Sequence, residues 1–341
     1  MSNTKDIFIN KKVWSSFNDD QLEKYVDMVF EHYRHHGFPY FSTEKSFRDN
    51  EFRKLINYNG NLLQDKAIRQ TMHGLSLAWS YMPHSWEIQC GNMLTPKDVF
   101  NDDCLFKRCI AKRIKMGDNM SDNGIRKMMK MFTGTQSVSN FRPTAASALY
   151  SHFLPNGGKI LDMSCGFGGR LLGFIKTNYG NNNYSYVGYD PSTLTYNGLC
   201  EIKNDYGSGM DITVNHCGSE MMNLINECDF AFTSPPYFDT EKYSSESTQS
   251  YIKYPTTESW LNGFMYDTIS NTYTALKNNS YMALNIANVK SYPNMCSDIV
   301  KISERIGFVL EDQYQLALSN SNFKSKTSAY KYEPVFIFKK I

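Results

Sequence analysis

The feature that most constrains this chain is an alternation that starts near Gly157 and runs to the C-terminus. Short β-rich runs take turns with longer helix-like stretches, the pattern of a doubly wound, mostly parallel α/β sheet. KILDM (Lys159–Met163) reads as the first strand, and glycines then open a helix over GRLLGFIKTNY. YSYVGYD reads as a second strand ending at Asp190, followed by the helix LTYNGLCEIKNDY. ITVNHC is a third strand, SEMMNLINE a helix with Ser219 as its N-cap, and DFAFTS a fourth strand ending at Ser234. The run from Phe238 to Thr257 is rich in Tyr, Ser, Thr and Lys and reads as a long loop, a feature that in compact domains is functional or mobile. Order returns with the helix SWLNGFMYDTISNTYTALK, the strand SYMALNIANV and the helix CSDIVKISERIGF. VLEDQYQLALS and EPVFIFKK close the pattern as a terminal antiparallel pair.

Residues 1–135 show no such alternation. DQLEKYVDMVFEHYRHH and DKAIRQTMHGLSLAWSYM are helix-like and separated by Gly, Pro and Asn, so a mainly helical region is expected there, with the α/β domain spanning 136–341. A length of 341 residues accommodates both. Aromatics at 14% supply a sizeable core, and Trp14, Trp79 and Trp86 are expected to pack within it. The net charge of +2 excludes a polycation, so any polyanion must meet a local patch. The eight cysteines are scattered without a CxxC pair, no run of 18 apolar residues occurs, and MSNTKDIFINKKVW lacks a continuous apolar stretch. A cytoplasmic protein with reduced thiols and no membrane partner is expected. His32, His35 and His36 have no second Cys or His cluster to complete a ligand set, so no metal is expected.

Between the first strand and its helix lies Asp162-Met-Ser164-Cys165-Gly166-Phe167-Gly168, where glycines let a backbone turn tightly against a ligand. About twenty residues on, Asp190 stands where a carboxylate accepts hydrogen bonds from ribose hydroxyls. The dinucleotide fingerprint would need a glycine at 171, which is Leu171, so a nucleoside without a pyrophosphate is indicated. Ser219 and Glu220, after the third strand, are placed to lie under an adenine ring, although Ser219 also reads as a helix cap. Phe141-Arg142-Pro143 leads a helix into the first strand and joins the candidate ligand site.

Thr233-Ser234-Pro235-Pro236-Tyr237 sits at the carboxyl end of the fourth strand, where open α/β sheets present ligands. A Pro-Pro-Tyr string also serves as a polyproline ligand, but those occupy exposed proline-rich tails, and this one ends the apolar strand DFAFT. Asp162 to Gly168 followed by Ser234-Pro-Pro-Tyr237 resembles the amino-methyltransferases of DNA, over residues 136 to 341. The resemblance implies a Rossmann-like class I methyltransferase sheet and S-adenosylmethionine as cofactor. It also implies that Ser234 Oγ and the Pro235 carbonyl hold an exocyclic amine, adenine N6 or cytosine N4, while Tyr237 stacks on a base flipped from double-stranded DNA. The chemistry agrees: the amine lone pair is delocalised into the ring, and acceptors that draw its protons aside restore it. Carbon-5 methylation of cytosine needs a cysteine nucleophile, and no Pro-Cys pair occurs.

The motif order resembles one branch of this family, in which a recognition domain usually follows the tetrapeptide, and the hundred or so residues left here are nearly all needed for the sheet. Recognition is therefore assigned to the N-terminal region and the loop. Between Lys107 and Lys130 eight basic residues face two acidic ones, and Lys107, Arg108, Lys112 and Arg113 are candidate phosphate contacts, unless the run is merely a solvated helix face. In the loop, Lys242, Tyr243 and Lys253 interleave charge and aromatics. Two alternatives keep the fold: an RNA or protein N-methyltransferase, and a nucleic-acid-binding relative without catalysis.

Overall fold

A computed structural model describes residues 7–318 and 331–341 apart from 133 and 182. Ser319, the last residue of the strand expected at VLEDQYQLALS, and the first six residues lie outside the described residues. The chain forms two units, each assembled from two stretches: 1–41 with 83–138, and 42–82 with 139–341. Residues 42–82 thus belong with the α/β unit, which differs from a single cut after residue 135.

The first unit is helical. Asp19–His36 opens on a capping box in which the Asn18 and Gln21 side chains each take the other's backbone N–H, and its last turn carries Arg34, His35 and His36, charges suited to a helix C-terminus. Tyr25, Val29 and Tyr33 from this helix pack with Phe106, Cys109 and Ile110 of Asp103–Lys115 and with Ile125, Met128 and Met129 of Asp122–Met131. Trp14 and Trp86 are buried in this core.

Among the described residues the second unit holds seven long strands: β1 (Gly158–Asp162), β2 (Tyr184–Tyr189), β3 (Asp211–Asn215), β4 (Cys228–Thr233), β5 (Leu276–Asn285), β6 (Phe308–Ala317) and β7 (Tyr332–Lys340). Their order is β6-β7-β5-β4-β1-β2-β3. Strands β3, β2, β1, β4 and β5 run parallel, whereas β7 is antiparallel to both β5 and β6. This is the Rossmann-like sheet with a terminal antiparallel pair that the alternation implies. The helix α1 (Pro143–Phe153) leads into β1, and α2 (Gly169–Asn178), α3 (Thr193–Tyr206), α4 (Tyr266–Ala275) and α5 (Met295–Ile306) connect the strands. Succession reverses between β1 and β4, so a crevice opens at their carboxyl ends, the place where sheets of this kind bind ligands.

Four expectations change. The stretch 65–82 is helical only at Leu75–Ser80; before it, Leu63–Gln64 and Ala67–Ile68 form a hairpin turned by Asp65 and Lys66, both at positive φ, and the hairpin extends the sheet by pairing parallel to β6. The helix expected over SEMMNLINE shrinks to a single 3-10 turn, Ser219–Met221. Ser219 does not cap it: the hydroxyl pairs with Thr268 on α4 at 3.0 Å, and Asn271 donates to the Glu220 carbonyl at 2.9 Å. The helix expected from Ser259 is a wider π-turn over Trp260–Met265 before it becomes α4, and it stops at Ala275. Strand β5 then begins at Leu276, earlier than expected, because Lys277–Asn279 are polar and exposed and carry no strand-like pattern. Among the described residues no helix is long and apolar enough to cross a membrane.

Candidate active site

The glycine turn between β1 and α2 is braced from beneath and from above. Gly166 and Gly168 take φ of +55° and +76°, conformations that L side chains resist. At Gly169 a Cβ would lie 1.8 Å from the Phe141 carbonyl oxygen, so the strap before α1 presses directly on the turn. Asn140 Nδ2 donates to the Phe167 carbonyl at 3.0 Å and locks the strap down. The Phe141 ring meets Phe232 edge-on at 5.0 Å, Pro143 is the first residue of α1, and Arg142, largely buried, has its pKa lowered by that burial. No motif in the sequence marks Asn140.

Asp162 is fully buried and all its capacity is used. Its carboxylate accepts from Arg170 Nε at 2.9 Å, Tyr186 Oη at 2.8 Å, Thr233 Oγ1 at 3.1 Å and the Ser164 N–H at 3.3 Å. Arg170 also donates to the Ser164 carbonyl. Asp162 is therefore a bracing residue, and contact with a ligand at this turn is left to the backbone of 164–168. Cys165 follows the same logic: its thiol is buried against Tyr186, while its N–H donates to the Tyr189 carbonyl at 2.9 Å.

Asp190, at the end of β2, has a different neighbourhood. It is 7% exposed and, among the described residues, accepts two backbone N–H groups, Gly166 at 2.9 Å and Ser192 at 3.1 Å. Burial raises its pKa to about 7 against the pull of those two donors. Three buried polar atoms lack partners among the described residues: Ser192 Oγ, two residues on, and Glu220 Oε2 and Gln249 Nε2. Tethers gather them. Glu246 accepts from the Thr193 N–H at the start of α3, Thr248 donates to the Pro191 carbonyl at 3.3 Å, and Lys253 pairs with Glu220 Oε1 at 2.9 Å. Buried polar atoms without partners are costly, so a polar ligand that meets both donors and acceptors fits this end of the crevice. Ser219, expected beside it, spends its hydroxyl on Thr268 and is 1% exposed.

Ser234-Pro235-Pro236-Tyr237 leaves β4, the strand paired with β1. Adjacent strands lie about 4.8 Å apart, so the tetrapeptide and the glycine turn share one edge, tied by the Thr233–Asp162 hydrogen bond. Pro235 is buried, and Ser234, Pro236 and Tyr237 are half-buried. The Tyr237 hydroxyl donates to the Asn285 carbonyl at the end of β5, at 3.4 Å. Burial, with Glu333 beside it, holds the phenol well above its usual pKa. Burial likewise raises Glu333 and the neighbouring Glu241, the latter against donors from Tyr243 and the Ser139 N–H. Asn285, Glu333 and Glu241 belong to no recognisable motif; only their positions at carboxyl-end strand termini and just past the tetrapeptide mark them.

The basic candidates divide. Arg113 is buried and bonds the Asn119 carbonyl at 2.8 Å and Asp118 at 2.7 Å, so it is an internal brace and no phosphate contact; Lys107 pairs with Asp27 at 2.8 Å. Arg108 and Lys112 are exposed on the same helix. In the loop, Lys253 is tied to Glu220, Tyr243 donates to Glu241, and Lys242 is exposed.

No protein-family model and no curated protein matches this chain. Among solved structures, a SAM-dependent methyltransferase of Methanosarcina mazei is 12% identical and aligns over 57% of this chain and 97% of its own, with a TM-score of 0.40. A TehB-like SAM-dependent methyltransferase of Corynebacterium glutamicum is 16% identical over 64% of this chain and 97% of its own, TM-score 0.38. The magnesium protoporphyrin IX methyltransferase of Synechocystis, with SAM bound, is 14% identical over 58% of this chain and 79% of its own, TM-score 0.39. What this crevice does must be read from its own residues.

Proposed function

We propose that this chain transfers a methyl group from S-adenosylmethionine to the exocyclic amino nitrogen of a DNA base, adenine N6 or cytosine N4. The observation that carries this reading is the shared edge: the glycine turn on β1 and Ser234-Pro-Pro-Tyr237 on β4 flank the crevice where strand succession reverses. The residues present fit the cofactor. Asp190 accepts from ribose hydroxyls, Glu220 Oε2 accepts from an adenine amine, and Ser192 Oγ and Gln249 Nε2 gain partners that they lack. When bound, the cofactor supplies an electrophilic methyl group on a sulfonium centre.

The protein's own work is to present an amine. Ser234 Oγ and the Pro235 carbonyl accept hydrogen bonds from its two N–H groups and turn the lone pair out of the ring plane. Tyr237 supplies an aromatic surface for an extruded base, whose stacking is worth about 1 to 3 kcal/mol per base against an extrusion cost of a few. Arg108, Lys112 and Lys242 are the exposed cations that this reading assigns to phosphate.

Incubation with labelled S-adenosylmethionine and unmethylated duplex DNA, digestion to nucleosides and chromatography with mass detection tests the reading. Label in N6-methyldeoxyadenosine or N4-methyldeoxycytidine is the expected result and names the base. No label in DNA, with cofactor binding intact, moves RNA or a protein amide to first place.

A further inference from the structure

A serine at the N-cap of a helix ordinarily spends its hydroxyl on that helix's own first N–H groups. Ser192 holds this place before α3 and does not: its side chain makes no capping bond, is 3% exposed and has no partner among the described residues. The bond at the start of α3 comes from elsewhere in the chain. Glu246, in the loop that leaves the tetrapeptide, sets both carboxylate oxygens against the Thr193 N–H, at 3.1 and 3.2 Å, and so places a negative charge at the positive end of the helix dipole.

The same loop is fastened on both sides of Gln249. Thr248 donates to the Pro191 carbonyl at 3.3 Å, the Gln249 N–H donates to the Glu246 carbonyl at 3.0 Å, and Lys253 pairs with Glu220 Oε1 at 2.9 Å. Gln249 is itself the N-cap of the short helix Ser250–Lys253, and its side chain does not cap either; it is 4% exposed, with Nε2 unpartnered among the described residues. Two buried N-cap side chains are thus released from their own helices, and Glu246 and Thr248 join the segments that carry them. Burying such atoms unmet costs stability, which a ligand with matching groups offsets.

We infer that Glu246 is a positioning residue for the cofactor: by taking the Thr193 N–H it frees the Ser192 hydroxyl for the ligand and seats Gln249 at the nucleoside end of the crevice. Glu246 acts without touching the ligand, and it makes the nucleoside site depend on the loop that leaves Ser234-Pro-Pro-Tyr237. This inference rests on the S-adenosylmethionine reading. Without Glu246, Ser192 is expected to turn back and cap α3, and the tie to Gln249 slackens.

The full chain is tested first without ligand. Glu246→Ala is expected to speed exchange of the Thr193 N–H, followed by NMR, about tenfold, and Ser192→Ala to leave it unchanged. Ser192→Ala should also keep Tm within about 1 °C, whereas Glu246→Ala lowers it by about 2 to 4 °C, the reverse of what a capping serine gives. Unchanged exchange in Glu246→Ala, or a larger Tm loss in Ser192→Ala than in Glu246→Ala, overturns the inference. The Kd of S-adenosylhomocysteine is then measured by calorimetry. Glu246→Ala should weaken it about tenfold, and Glu246→Gln, which keeps an acceptor for the N–H, should regain most of that loss. Ser192→Ala should weaken it about fivefold, and the double variant should stay within about twofold of Glu246→Ala, because the serine is already lost to the ligand there. A helix cap with no bearing on the site gives an unchanged Kd in Glu246→Ala, or full additivity in the double variant, and either result overturns the inference. Should Glu246→Ala fail to fold, Thr248→Val, which removes the tether at Pro191, must weaken Kd at least about threefold. If the wild type binds no S-adenosylhomocysteine while Thr193 exchange still answers to Glu246, the cofactor assignment fails and the role of Glu246 in it falls too. Binding that ignores Glu246→Ala leaves the assignment standing and removes this inference alone.

Discussion

Asp162 ends β1 and Asp190 follows the end of the adjacent parallel strand β2, and yet they live under opposite rules. Asp162 is fully buried, faces a guanidinium and has three further donors. Asp190 is almost as buried but, among the described residues, has two backbone N–H groups as donors, and its pKa climbs to about 7. The first is a finished structural joint. The second bears an unmet demand for hydrogen-bond donors, together with unpartnered atoms of Ser192, Glu220 and Gln249. Two aspartates that look equivalent in sequence are thus separated by what surrounds them: one holds the turn, the other waits for a ligand.

The largest expected effect tests the joint. Asp162→Asn leaves Arg170 buried without its counter-charge and should cost about 3 to 5 kcal/mol in urea unfolding. A loss under about 1 kcal/mol would mean that the pair contributes little beyond a neutral hydrogen bond. Next comes turnover. Ser234→Ala should lower kcat about 100-fold while the cofactor Kd, read by calorimetry, stays within about twofold; equal loss of both would place Ser234 in the cofactor site.

Asp190→Asn sharpens the contrast from the other side. Cofactor affinity should fall about tenfold, the value of one charged hydrogen bond, while the protein without ligand becomes more stable at pH 8. The sign follows from the raised pKa. The folded carboxylate titrates near 7 and the unfolded one near 3.8, so the ionised group costs stability above pH 7, and that cost is relieved as pH falls from 7 toward 4. In the wild type, cofactor affinity should therefore weaken as pH drops through 7, and in Asp190→Asn this dependence should vanish. The smallest effect separates two basic residues of one helix. Lys112→Ala should leave stability unchanged and reduce the slope of log affinity for DNA against log salt by about 1. Arg113→Ala should instead cost about 2 kcal/mol of stability and leave the slope alone.

Much of the α/β unit was legible because strands buried on both faces read as apolar runs, as at KILDM and DFAFT, and because the turns between them carry glycine or proline. What escaped has physical causes. The hairpin at Leu63–Ile68 is turned by Asp65 and Lys66 at positive φ, and neither glycine nor asparagine announces it. Ser219 has the composition of an N-cap, but a threonine from another helix claims its hydroxyl, which is a tertiary fact. Basic residues between 107 and 130 look alike in one dimension; burial sorts Arg113 from Lys112. The site itself was half visible. Gly166, Gly168, Asp190 and the tetrapeptide stand out by spacing, whereas Asn140, Asn285, Glu241 and Glu333 are ordinary polar residues brought to the crevice by the order of the strands.

The interleaving of the two units bears on how the chain is made. The hairpin that completes the sheet's edge precedes its partner strand by most of the chain: Lys66 and Asp312, joined by an ion pair, are 246 residues apart. At ribosomal speeds of about 5 to 20 residues per second, the hairpin emerges roughly 12 to 50 seconds before β6 exists. During that time it has no sheet to join, and residues 83–138 are synthesised in between. The sheet can close only after release of nearly the whole polypeptide, and a fragment starting at residue 136 would present β6 as an open edge prone to pairing with its own kind.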